Sequence, residues 1–126
     1  MTDTDRNPAN ASTSAVRARN DRFRETFNGG RVVATAGIMA LDDAARQRIF
    51  IAVQAFDAFD EGNDPVLAEP SHTWTREHDF GSIEAEGERV FFKIDYLAPG
   101  GSMHSEDPAD PAKTERVMTI MLASEY

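Results

Sequence analysis

The chain has 126 residues, no cysteine, and a net charge of −9 from 22 acids against 13 bases. That length suits one domain with a core of its own, and the lack of thiols excludes disulfides and thiolate metal sites. The acidic balance disfavours direct binding to nucleic acid, which needs Lys and Arg against phosphates, and no apolar run approaches the roughly 20 residues of a membrane span.

Residues 1–11 are polar and lack a signal-peptide core. They read as a disordered lead to a single domain at 12–126, with the cytoplasm as the expected location. A first helix is predicted over 12–27. Ala15, Val16, Phe23 and Phe27 fall on one stripe, with arginines on the other side. Ser12 or Ser14 is its expected cap, and Asn28-Gly29-Gly30 its stop. RVVATAGI at 31–38 predicts a short strand ended by Gly37. Asp42 then caps a second helix over 43–59, whose apolar positions Ala45, Ile49, Val53, Phe56 and Phe59 recur at helical spacing, with Ala52 widening the stripe. Gly62 and Asn63-Asp64-Pro65 close it. Residues 65–75 read as a loop carrying Trp74.

The clearest element is a hairpin, with strands at 77–85 and 88–97 and a two-residue turn at Glu86-Gly87. Counting outward from the turn sets the register. Ile83 faces Val90, Gly81 faces Phe92 and Asp79 faces Ile94 on a core face. Glu84 faces Arg89, Ser82 faces Phe91 and Phe80 faces Lys93 on a mostly solvent face with one salt bridge. Gly81 leaves room for the Phe92 ring. A short edge strand is expected at 102–104. Asp107-Pro108 and Asp110-Pro111 each read as an N-cap followed by proline at the first helical position. They introduce a last helix over 111–124 with Val117, Met118, Met121 and Leu122 as its buried stripe. The expected fold is α+β: a small, mostly antiparallel sheet with a central hairpin and about three helices packed on it.

Five segments carry a family resemblance: FNGGRVVATAGI at 27–38, AFDAFDEGNDP at 55–65, EHDFGSIE at 77–84, FFKIDY at 91–96 and DPADPAKTERVMTIMLASEY at 107–126. With them the chain resembles the bacterial family called domain of unknown function 3768. The resemblance implies an accessory role, since such proteins are often plasmid-borne, and it transfers no activity and no active residue. Two departures stand out. Residues 66–76 intervene where the family runs quickly from NDP into EHDFG. A pattern like DYYD is replaced by Asp95-Tyr96-Leu97-Ala98.

Chemistry has few places to reside. The histidines His72, His78 and His104 have no helical metal spacing. In a regular strand Glu77 and Asp79 share one face while His78 points away, so no metal is expected. There is no phosphate-binding loop, dinucleotide fingerprint or serine elbow, and no cofactor is expected. An acid–base site would draw on His78, Asp79 and Asp95. Acids dominate 57–88, where Arg76 is the one base, while Arg17, Arg19, Arg22 and Arg24 cluster near the N-terminus. The reading the sequence favours is a non-enzymatic module that binds a protein partner through Asp60, Asp64, Trp74, Glu77, Phe80 and Tyr96, an acidic and aromatic surface. A small hydrolase using His78, Asp79 and Asp95 is the alternative. A second alternative is an inhibitor whose acids imitate DNA phosphates.

Overall fold

A two-residue turn seeds the sheet. Glu86 and Gly87 have φ of 55° and 76°, the paired positive values of the turn that matches strand twist. The computed structural model of the chain describes residues 8–59 and 77–126. The elements run α1 (Pro8–Thr26), β1 (Gly30–Ala34), α2 (Ala36–Met39), α3 (Asp43–Ala55), β2 (Phe80–Ala85), β3 (Glu88–Leu97) and β4 (Glu115–Leu122), ending in a 3-10 turn at Ala123–Glu125. The sheet order is β1-β4-β3-β2. Among the described strands only β1 and β4 pair in parallel. The fold is α+β, as the sequence predicts.

The hairpin register is the expected one from Phe80↔Lys93 to Ala85↔Glu88. Regular pairing starts at Phe80 rather than at residue 77, although the Ile94 amide still donates to the Asp79 carbonyl at 2.8 Å. Arg89 and Glu84 form the expected salt bridge at 2.7 Å. A Cβ on Gly81 would collide with the Phe92 ring and meet Phe56 at 2.8 Å. On β3, Val90, Phe92, Ile94 and Tyr96 alternate inward and meet Val16 and Phe23 of α1, Ile38 of α2, Ile49 and Val53 of α3, and Met118 and Ile120 of β4. The predicted solvent face is partly closed, because Phe80 is buried and packs with Phe91 and Tyr126.

The predicted last helix is a strand, β4. Arg116, Met118 and Ile120 are buried at every second position, and the strand pairs on both sides. The two Asp-Pro steps make turns instead of caps. Asp107 and Asp110 each accept a hydrogen bond from the amide two residues on, at 3.2 and 2.9 Å, with proline next in each turn. The expected strand at 102–104 reduces to one bridge, Leu97↔His104.

Three helical expectations shift. Helix α1 begins at Pro8, inside the segment read as a lead, so neither Ser12 nor Ser14 caps it. Its buried face includes Asn20 and Arg24 beside Val16 and Phe23. At its end Phe27 takes φ of 57°. Helix α3 is capped as expected, Asp42 accepting from the Ala45 amide at 2.8 Å, but it ends at Ala55 because Phe56 turns extended to pack on Phe92.

The strand predicted to Gly37 stops at Ala34, and α2 follows. A remote carboxylate holds this turn. Glu125 accepts hydrogen bonds from the Thr35 hydroxyl at 2.6 Å, the Gly37 amide at 2.9 Å and the Leu122 amide at 2.9 Å. Gly37 permits it, since a Cβ there would lie 2.6 Å from the carboxylate. The Thr35 hydroxyl and the two amides hold the Glu125 pKa below the ordinary 4.5. Its stabilisation is therefore complete above about pH 4.5 and is lost as pH falls through the lower folded value. Glu125→Gln should melt below the wild type at pH 7, and the two curves should converge in acid. Parallel melting curves at every pH would refute this role.

Candidate functional site

The ladder between β2 and β3 ends with the Ile94 amide on the Asp79 carbonyl, and the chain before it turns away. His78 has φ of 61°, a conformation uncommon outside glycine. The turn carries its ring out of line with its neighbours. His78 Nδ1 lies 2.8 Å from Asp21 Oδ1 on α1, and the ring stacks on Phe59 at 3.9 Å. Glu77 and Asp79 remain together on the helix-covered face.

They line a cleft of about 400 Å³ with Asp95, Tyr96 and His104, walled by Ile94 and Pro108. The bridge at Leu97 and a hydrogen bond from the Ser105 amide to the Tyr96 carbonyl bring His104 in. Its ring lies 6.4 Å from that of Tyr96. The cleft thus gathers Glu77, Asp79, Asp95 and Tyr96 from the sequence-derived candidates. His104 joins them through a sheet neighbour that no local pattern reveals. Asp95 also pairs with Lys93 at 3.4 Å.

Beneath the cleft runs a buried polar network. Tyr96 donates its hydroxyl hydrogen to Glu77 Oε1 at 2.8 Å. Asn20 Nδ2 donates to the Tyr96 hydroxyl at 2.7 Å and to the Glu77 carbonyl at 3.0 Å. Arg116 Nε donates to Asn20 Oδ1 at 2.8 Å and its Nη2 to the Pro108 carbonyl at 2.5 Å. The guanidinium lies 5.2 Å from the centre of the Tyr96 ring. Burial raises the Glu77 pKa, with the Tyr96 hydrogen bond and the Arg116 charge opposing. Burial also pushes the Tyr96 hydroxyl far above its usual value, aided by the charges of Asp79 and Glu77. Tyr96 therefore serves as a fixed neutral donor.

Several expected groupings dissolve. His78 does not line the cleft that holds Asp79 and Asp95, so the predicted acid–base trio is not assembled. Phe80 and Tyr96 sit on opposite faces of the sheet and are 5% and 6% exposed, so they form no common contact surface. Asp60, Asp64 and Trp74 lie outside the described residues. Within the acidic stretch, Glu84 pairs with Arg89 and Glu86 with Arg48 at 2.6 Å, which neutralises two of the acids offered as phosphate mimics. Among the described residues no three His, Asp or Glu side chains converge to hold a metal ion, and no helix is long and apolar enough to cross a membrane.

A family model described as "Protein of unknown function (DUF3768)" matches residues 34–125. No curated protein and no solved structure matches the chain.

Proposed function

The chain belongs to the DUF3768 family of proteins of unknown function, and from that premise we propose that it is a non-enzymatic protein-binding module. Its cleft takes a basic side chain of a protein partner. The observation that carries this reading is the meeting of Glu77 and Asp79 in one cavity with Asp95 at its rim while His78 is engaged by Asp21 and Phe59. Two carboxylates in the cleft and a third at its rim, on a protein of net charge −9, set a potential that attracts cations and steers a basic partner. The exposed ring of His104 supplies an edge against which a guanidinium packs. An accessory role on a mobile element accords with the resemblance to small plasmid-borne proteins.

A second reading, acid–base hydrolysis, draws on one feature: His104 shares the cleft with Glu77, whose pKa is raised by burial. A carboxyl whose pKa is raised by burial, in one cleft with an imidazole, can serve as half of a general acid–base pair.

The test uses Asp95→Asn, because Asp95 is partly exposed and its pair with Lys93 is a surface one, worth little to folding. The variant should melt as the wild type does. Partner recovery in a pull-down should fall by about tenfold, the worth of one charge-assisted contact, and recovery by the wild type should fall with salt. Recovery that ignores both the substitution and the salt would remove the cleft from the interface. Turnover of a hydrolysable ester that is lost in His104→Ala would move the assignment to the second reading.

A further inference from the structure

We propose that the pocket between α1 and β4 binds a phosphate group, held by the guanidiniums of Arg19, Arg22 and Arg116. The pocket has a volume of about 280 Å³, and Phe23, Asn28 and Gly29 complete its wall. In a strongly acidic protein this is a place where positive charge converges with no carboxylate in its lining. Among the described residues none of the three arginines forms an ion pair with a carboxylate. Arg19 Nε donates to the Ala109 carbonyl. Arg116 spends Nε and Nη2 on Asn20 and Pro108, which fixes the plane of its fork and leaves Nη1 without a hydrogen bond in the fold. Arg22 is exposed, and among the described residues its side chain has no hydrogen-bond partner.

Arginines near the end of a helix are ordinarily explained by the helix dipole. That does not account for Arg116, which sits on a strand and is 4% exposed. A buried guanidinium is normally matched by a carboxylate. Here burial, with the neighbouring charge of Arg19, lowers the Arg116 pKa, while Tyr96 and Glu77 oppose the shift. A dianion relieves that repulsion and meets forked donors of the geometry it prefers. The cavity exceeds what a phosphate group alone fills, so a small phosphate monoester fits as well as the free ion. This site lies across the Asn20–Tyr96 network from the acidic cleft and does not depend on the reading proposed for that cleft.

The experiment titrates the full chain with inorganic phosphate and, separately, with glycerol 3-phosphate, at constant ionic strength, following backbone amide resonances. Saturable shifts at Arg19, Asn28, Gly29 and Arg116 are expected. A tighter fit for glycerol 3-phosphate identifies a monoester as the ligand, and equal affinity identifies the free ion. Arg22→Gln should leave melting unchanged and weaken binding by about tenfold. Arg116→Lys, which keeps the charge but loses the fork, should weaken it further if it folds, and Arg22→Gln carries the test if it does not. Absence of saturation with both ligands, shifts confined to other parts of the chain, or full affinity in Arg22→Gln would overturn the proposal.

Discussion

Asn20→Ala is expected to destabilise the protein by about 3–5 kcal/mol, the range for breaking a buried charge-bearing network by removing one partner. Asn20 is fully buried and works in three directions. Its Oδ1 accepts from Arg116, and its Nδ2 donates to Tyr96 and to the Glu77 carbonyl. Alanine strands a guanidinium N–H, removes the donor that orients the Tyr96 hydroxyl, and leaves a small void. Water cannot replace these bonds cheaply, because Arg116 and Tyr96 are themselves buried. Urea denaturation measures the loss. A change below about 1 kcal/mol, the scale of an exposed hydrogen bond, would show that the network is not a pillar of the fold.

Gly81→Ala is the second large effect, expected at about 3 kcal/mol, the upper part of the range for overpacking a filled core. The added carbon enters the Phe92 ring and lies 2.8 Å from Phe56. Phe92 is fully buried and packs edge-on against Phe56 and Phe59, so its ring has nowhere to swing. Gly87→Asn offers the contrast. Gly87 has open space and a left-handed φ of 76°, which asparagine tolerates, so that change should be nearly neutral. Equal losses at both positions would mean that backbone freedom, and not the Phe92 contact, explains Gly81.

Legibility followed locality. The hairpin was readable because a two-residue turn fixes register by counting, and the alternation of Val90, Phe92 and Ile94 agrees with it. β4 was not, because Val117, Met118, Met121 and Leu122 also fit a helical stripe. The true alternation hides behind Arg116, a charged residue at an inward position. Asp-Pro serves equally as a helix start and as a turn, and only the chain that follows decides. Helix α2 was invisible because its carboxylate cap, Glu125, lies at the other end of the chain. For the site, Glu77 and Asp79 were legible as same-face neighbours, whereas His104 arrives by a bridge and Asn20 by helix packing. One signal was present for Asn20. It falls between Val16 and Phe23 on the apolar stripe of α1, and a polar residue there announces a buried partner.

The lone parallel pairing of β1 with β4 also sets an order of assembly. β2 and β3 close on a two-residue turn, and β4 joins β3 after residues 98–114. β1 can dock only when the chain from 35 to 114 has been brought back on itself, and that closure is the costliest in entropy. The arginine pocket takes Gly29 from the approach to β1 and Arg116 from β4, so it comes into being with this last step and is first to vanish when the edge frays. The acidic cleft rests on β3 and its immediate neighbours and outlives it. A phosphate bound on the arginine side would therefore act as a latch on the strand that closes the fold.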